Sequence, residues 1–217
     1  TPVEEGDLKQ KLEQLLKKAD FISDGVFIMD ASKRSAHSNA YFTGFGKTKR
    51  IVLFDTLVKK LTPDEITAVL GHEIGHYKLR HILKRMIFLI PLELCVLFVL
   101  FKLSQCNSMY TAFGFNSISD ISQFQFVGIF ISTLLFSSLQ ELISPISNYF
   151  SRKDEYEADK FSHDICSSSK DLITALIKLN SENLSELFIP DVYVFWNYSH
   201  PTIVERIEKL ELLDKDK

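Results

Sequence analysis

Five consecutive residues, His72-Glu73-Ile74-Gly75-His76, constrain this chain more than any other stretch. They form the pattern H-E-x-x-H, whose chemistry works only on a helix. Residues four apart on an α-helix are rotated by about 40°, so both imidazoles leave one face, a turn apart. Two neutral imidazole nitrogens so placed can hold one Zn²⁺, and Glu73 lies close enough to take a proton from a water on that metal. With six His in 217 residues, a chance match is on the order of one percent.

The flanking sequence supplies the helix. Thr62-Pro63-Asp64-Glu65 reads as a capping box, with Thr62 as N-cap, Pro63 at the first helical position and Glu65 three residues on. Ile66, Val69, Leu70 and Ile74 then make a buried stripe. Gly71 and Gly75 weaken the helix, which suggests that something packs close to its backbone. His81 lies about 180° round an extended helix from His72, so it reads as a flank residue and not as a third ligand.

The length allows one large domain, or one domain carrying an inserted element. A net charge of −3 gives no nucleic-acid signal. Cys95, Cys106 and Cys166 are odd in number and far apart, so they offer neither a disulfide framework nor a cysteine metal pair. No secretory signal is visible and the chain begins at Thr1, so a fragment of a longer protein, cut before residue 1, is expected.

Ahead of the motif, Asp7 can cap a helix with the apolar stripe Leu8, Leu12, Leu15, Leu16 and Ala19. Val26 to Met29 reads as a short strand. Ser38 to Phe42 and Arg50 to Phe54 read as two more, joined through Gly44-Phe45-Gly46 as a hairpin. Polar residues at alternate positions, Ser38-Asn39-Ala40-Tyr41, suit a sheet edge. Such an edge can hold an extended peptide by its main chain, or it can be an ordinary exposed edge.

Composition changes abruptly after His81. Met86 to Phe101 is apolar except for Glu93, and Phe124 to Ile143 is broken by Gln125, Gln140 and Glu141. Each run is near the lower limit for a membrane span, the alternative being a buried core helix. Flanking charge favours the membrane. Lys78, Arg80, Lys84 and Arg85 stand at the start, Arg152 and Lys153 follow the second run, and Asp120 is the sole charge in the connection 104–123. This is the positive-inside pattern of a hairpin with both ends cytoplasmic. Glu93 and Glu141 then need an aqueous cavity or a protein interior, and Pro91 is expected to kink the first span.

The hairpin returns the chain to the side of His72 and His76, where Ser151 to Asp159 follows. Glu155 and Asp159 share a helix face, which suits one carboxylate ligand and a second that orients a ligand imidazole. Spacing alone does not choose Glu155 over Asp154 or Glu157; a solvated charged helix is the plain alternative. Leu172, Ala175, Leu176 and Leu179 mark another amphipathic helix, followed by an aromatic-rich connection from Phe188 to Tyr198. His200 precedes Pro201, which reads as opening a last helix with the stripe Ile203, Ile207, Leu210 and Leu213. His200 can donate a hydrogen bond to an oxyanion, although a lone His there also suits a surface or capping role.

Taken in order, several stretches resemble the type I CAAX prenyl endopeptidases, a family of membrane zinc metalloproteases. They are His37 to Phe42, Lys49 to Leu57, the His72–His76 motif, Ala112 to Phe115, Ser151-Arg152 with Glu155 to Asp159, and Tyr198-Ser199-His200-Pro201 with Glu205-Arg206. The resemblance implies that His72, His76 and Glu155 are the ligands of one Zn²⁺, that Glu73 is the general base, and that His200 supports the transition state. It implies that Asp159 steadies a ligand imidazole and that Ser38, Asn39, Ala40 and Arg206 bind substrate. It further implies prenylated CAAX proteins or peptides as substrate, the endoplasmic reticulum membrane (with the inner nuclear membrane) as location, and a large intramembrane chamber. That chamber needs an N-terminal transmembrane half beyond the two spans read here.

The expected architecture is a mainly α membrane protein with a small antiparallel β-sheet. Its gluzincin-like zinc metallopeptidase lobe is interrupted by a transmembrane helical hairpin: residues 1–81 and 149–217 form the lobe and 82–148 the hairpin. Two alternatives share the sequence features: a membrane quality-control zinc protease of broader specificity, and a non-catalytic scaffold that binds membrane segments.

Overall fold

The computed structural model describes residues 1–33, 39–44, 49–115, 124–182 and 188–215. Helix α1 (Asp7–Lys18) buries Leu12 and Leu15, with Leu8, Leu16 and Ala19 completing the expected stripe. Its N-cap is Gly6 and not Asp7; Asp7 sits in the first turn, where its charge favours the positive end of the helix.

Three strands follow, β1 (Val26–Met29), β2 (Ala40–Thr43) and β3 (Arg50–Phe54), in the spatial order β1-β3-β2. Strands β2 and β3 pair antiparallel, as a hairpin must, but β1 and β3 pair parallel. The sheet is therefore mixed, which corrects the expectation of a wholly antiparallel one. The chain passes from β1 to the outer position β2 and then returns into the gap, so β3 runs with β1. Alternation within a strand says which face is buried, not which strand lies beside it. The outer edge of β1 is covered by the N-terminus, where Val3 N–H donates to Val26 O (3.0 Å) and Ile28 N–H to Thr1 O (2.7 Å). Among the described residues, β2 is left as the open edge. It begins at Ala40, and Ser38 lies outside the described residues.

A short helix α2 (Asp55–Lys60) leads into α3 (Pro63–Lys78), which carries the H-E-x-x-H residues. The capping box forms: Thr62 Oγ1 accepts from Glu65 N–H (3.3 Å) and Glu65 Oε2 accepts from Thr62 N–H (2.8 Å). After α3 come α4 (His81–Ser104), α5 (Asn107–Ala112), α6 (Gln125–Cys166), α7 (Lys170–Glu182), α8 (Asp191–Asn197) and α9 (Ile203–Lys215). Helix α3 is packed between α1, α6 and α7. Ile66, Leu70 and Ile74 of α3 join Leu12, Ile51 and Leu53 in the main core.

The two glycines of α3 face α6. A Cβ on Gly75 would stand 3.1 Å from Ala158 Cα and 3.2 Å from its carbonyl oxygen, and one on Gly71 would stand 3.0 Å from Ser162 Oγ. Ser162 Oγ itself donates to Ala68 O across the interface (2.7 Å). Each glycine costs the helix about 1 kcal/mol relative to Ala. In return the two backbones approach closely enough to bring carboxylates of α6 to the imidazoles of α3.

Helix α4 is long and apolar enough to cross a membrane, and none of its apolar window is buried within the protein. Its 24 residues span roughly 36 Å at 1.5 Å per residue, against a hydrocarbon core of about 30 Å. Pro91 lies inside α4 without ending it. The second apolar run lies in α6, which meets the same test only when its limbs Gln125–Ser137 and Gln140–Cys166, related by a 53° bend, are taken together. Between α4 and α6, part of the expected loop is the helix α5, whose Tyr110 is fully buried and donates to Ser104 O (2.7 Å). A Cβ on Gly128 of α6 would fall 2.0 Å from that hydroxyl, so only glycine leaves room for it.

Candidate metal centre

His72 and His76 turn the same ring nitrogen inward, with Nε2 to Nε2 at 3.1 Å. Glu155, delivered by α6, brings Oε2 to 3.5 Å from His72 Nε2 and Oε1 to 3.4 Å from His76 Nε2. Donors on adjacent corners of a tetrahedron with bonds of 2.0–2.1 Å stand about 3.3 Å apart. The two imidazole nitrogens stand near that value from each other, and each stands near it from one of the two carboxylate oxygens, so the donor set and its spacing suit a zinc ion. Helical phase now separates the candidates that spacing left equal. Asp154 and Glu157 turn to another face of α6, where they approach His81.

Each inward nitrogen is backed by a contact on the other side of its ring. His72 Nδ1 lies 2.8 Å from Asp159 Oδ1. Asp159 is held in turn by Arg206, whose Nε donates to Oδ2 (2.8 Å) and whose second nitrogen donates to Oδ1. His76 Nδ1 lies 3.0 Å from His81 Nδ1. This overturns the reading of His81 as a flank residue. The helix does not continue past His76 unbroken: α3 ends at Lys78, Arg80 takes a left-handed conformation (φ 57°), and α4 starts afresh at His81. The break resets the phase and buries His81 against His76. Neither Leu79 nor Arg80 is a Gly or Pro, so no turn residue marks the break in the sequence.

The charges form a compact buried network. Burial works to raise the Glu155 carboxyl, but hydrogen bonds with His200, His72 and His76 outweigh it and hold the group well below the usual carboxylate range. Burial likewise opposes the charge on Asp159, and His72 and Arg206 overcome it, so its pKa is lowered. For Glu73 the balance falls the other way. Burial pushes its carboxyl up, His72 and His76 pull against that, and the net direction is upward. Glu73 makes no hydrogen bond or ion pair among the described residues.

A cavity of about 480 Å³ opens over these groups. His72, Glu73 and His76 of α3, Glu155 of α6, and His200 and Arg206 line it, with Asn39 and Ala40 at the open sheet edge. His200 Nδ1 stands 3.3 Å from Glu155 Oε1 with most of its ring exposed. Its stretch is fixed to α6 by Arg152, which donates to Tyr198 O (2.6 Å) and Val194 O (3.3 Å). Helix α9 begins after Thr202, not at Pro201; Thr202 and Glu205 form a second capping box (2.8 and 3.3 Å). Arg206 is largely committed to Asp159, with one further nitrogen 3.6 Å from Glu155 Oε2.

The ladder sets which main-chain groups of β2 face outward. Phe54 N–H donates to Asn39 O (3.0 Å), and Ala40 stands opposite Leu53. Hydrogen-bonded pairs alternate along an antiparallel ladder. Asn39 and Tyr41 thus bond to β3, while Ala40 and Phe42 direct N–H and C=O to the open side. The Ala40 N–H is engaged by its neighbour's side chain, Asn39 Oδ1, at 2.8 Å.

A family model described as peptidase family M48 matches residues 2–214. CAAX prenyl protease 1 of Saccharomyces cerevisiae is 38% identical over 229 residues, covering 100% of this chain and 50% of its own length. The CAAX prenyl protease 1 homologs of Dictyostelium discoideum and Homo sapiens are 39% and 34% identical, over 97% and 98% of this chain and 48% and 52% of their own. The chain thus spans about half the length of the curated relatives it matches. Among solved structures, the crystal structure of S. mikatae Ste24p superposes with a TM-score of 0.84 at 38% identity, covering 97% of this chain and 51% of that one.

Proposed function

The chain belongs to peptidase family M48, and from that premise we propose that it is the zinc-binding half of a membrane endopeptidase acting on prenylated CAAX proteins. The observation that carries this reading is the convergence of His72 Nε2, His76 Nε2 and the Glu155 carboxylate at 3.1–3.5 Å beside Glu73, with an open strand edge in the same cavity. The endoplasmic reticulum membrane is the proposed location. Helix α4 and the apolar part of α6, which includes the bend between its two limbs, form the membrane hairpin over residues 82–148, and residues 1–81 and 149–217 lie together on its cytoplasmic side. Past its 53° bend, the second limb of α6 carries Glu155 to α3.

His72, His76 and Glu155 hold the zinc, which when bound supplies Lewis acidity toward a water and the scissile carbonyl. Two neutral imidazoles bring no charge, so Glu155 would supply the anionic donor, and three protein ligands would leave room for water or substrate. Glu73 takes the proton of the attacking water and passes it to the leaving amine. His200 stands over the same cavity and donates to the developing oxyanion. The peptide lies antiparallel to β2, paired with the outward C=O of Ala40 and the N–H and C=O of Phe42, and it takes the Ala40 N–H in place of Asn39 Oδ1, which is how one edge holds varied side chains.

The test is cleavage of a farnesylated CAAX peptide and of its unmodified counterpart by the full-length protein in proteoliposomes, with and without chelator. The expected result is zinc-dependent cleavage of the farnesylated peptide and little of the other. Equal cleavage of both would make it a quality-control protease, and bound zinc without turnover would make it a scaffold.

The strand edge has its own test. Ala40→Pro removes an outward donor while leaving the β2–β3 ladder its bonds. One hydrogen bond is worth about 0.5–1.5 kcal/mol, so kcat/KM should fall about 2- to 12-fold with zinc content and thermal stability near wild type. Tyr41→Pro deletes a donor to β3 and should instead lower thermal stability. If both variants fold, bind zinc and cleave prenylated peptide normally, the edge-pairing arrangement is wrong.

A further inference from the structure

We propose that His81 is a positioning residue for the metal, fixing the tautomer and ring angle of His76 through a relay His76–His81–Glu157. The proposal rests on the zinc reading above. His76 turns Nε2 toward His72 and Glu155, so as a ligand it must keep a free lone pair on Nε2 and carry its proton on Nδ1. That N–H needs an acceptor. Metal-ligating imidazoles nearly always find one, commonly a carboxylate or a carbonyl. His72 uses Asp159 directly. For His76 the atom in reach is Nδ1 of His81, at 3.0 Å.

The far side of His81 decides the direction of that bond. Its Nε2 faces two carboxylates, Glu157 Oε2 at 3.2 Å and Asp154 Oδ1 at 3.8 Å, and the ring is 2% exposed. A carboxylate accepts and does not donate, so the proton of a neutral His81 belongs on Nε2. Nδ1 of His81 is then a lone pair aimed at His76. The opposite polarity would place the His76 proton on Nε2, where it would block the metal. Arg85 Nε holds Asp154 at 2.9 Å and another Arg85 nitrogen donates to Ser151 Oγ at 2.9 Å, which fixes the second carboxylate facing His81. The broken α3–α4 junction is what allows this: it carries His81 back beside His76, within reach of a face of α6 that points away from Glu155.

His81, Asp154 and Glu157 also lie close enough together to suggest a second cation site. That reading conflicts with the first site. A cation on His81 Nε2 would move the ring proton to Nδ1, facing His76, and it would compete with the Arg85 guanidinium for Asp154. The relay predicts one zinc per chain.

The test measures zinc affinity of the full-length protein by chelator competition, together with the visible spectrum of the Co²⁺-substituted protein. Loss of an outer partner of a ligand costs about 10- to 100-fold in metal affinity. His81→Phe, which fills the space without an acceptor, should show that loss and an altered Co²⁺ spectrum. His81→Asn places an amide oxygen near the position of Nδ1 and should restore affinity to within about threefold. If the Phe variant does not fold, His81→Gln serves in its place. Its amide reaches the Nε2 position instead, and it should bind zinc at least tenfold more weakly than His81→Asn.

Wild-type affinity and spectrum in His81→Phe overturn the relay, as do equal affinities in the Asn variant and its Phe or Gln counterpart, or two zinc ions per wild-type chain. His76→Ala, run alongside, separates the two levels. Undiminished zinc in that variant means the metal site itself is wrong, whereas zinc lost there but retained in His81→Phe condemns only the relay.

Discussion

Glu73→Gln protein is expected to keep one zinc and to turn over at least about 10²-fold more slowly, the lower end of what a positioned general base contributes. The substitution is nearly isosteric. Because Glu73 is not hydrogen-bonded or ion-paired among the described residues, the amide leaves no stranded partner, and the metal-facing trio His72, His76 and Glu155 does not include it, so the ligand set is preserved. What disappears is the ability to accept a proton from water. The measurement is kcat on a farnesylated peptide beside zinc content of the same preparation. Near-normal kcat in a zinc-loaded Glu73→Gln protein would remove Glu73 from the mechanism.

Glu155→Ala should lose the metal itself. Glu155 is the one charged donor of the trio, and it is buried, with Oε1 facing His76 and His200 and Oε2 facing His72 and Arg206. Its removal leaves two neutral imidazoles, with Arg206 less compensated beside them. The loss of affinity should therefore exceed the roughly 10- to 100-fold caused by deleting an outer partner. Chelator competition measures it, and Asp154→Ala and Glu157→Ala serve as comparisons: they leave the trio intact and reach the site only through His81, so their loss should stay within that roughly 10- to 100-fold. Stoichiometric, undiminished zinc in Glu155→Ala would rule the residue out as a principal ligand.

The contrast among these three acids shows where local sequence stops informing. Asp154, Glu155 and Glu157 lie within four residues, are of similar chemistry and sit on one helix. Their roles diverge because α6 meets α3 at one rotational phase, set by Gly71 and Gly75 against Ser162 and Ala158. The glycines were legible as a sign of close packing, but their partner was not, since it lies more than eighty residues away. The same holds for Arg206, which by resemblance binds substrate and in the fold is chiefly the clamp on Asp159.

By itself the sequence determined what is set within a turn or two of chain. The capping box places the start of α3, helical spacing puts both imidazoles on one face, β1 and β3 run over the residues their composition indicates, and α4 follows the first apolar run. Each rests on dihedral preference, capping or burial periodicity, which act between near neighbours. Tertiary structure decided what depends on how elements meet. It selected the parallel partner of β1, chose Glu155 from three acids, left the main chain of Ala40 facing outward, and broke the helix at Arg80 so that His81 meets His76. The physical reason is the same in each case. A side-chain period reports the face an element buries, whereas the identity of the neighbour is set by the packing of whole elements distant in sequence.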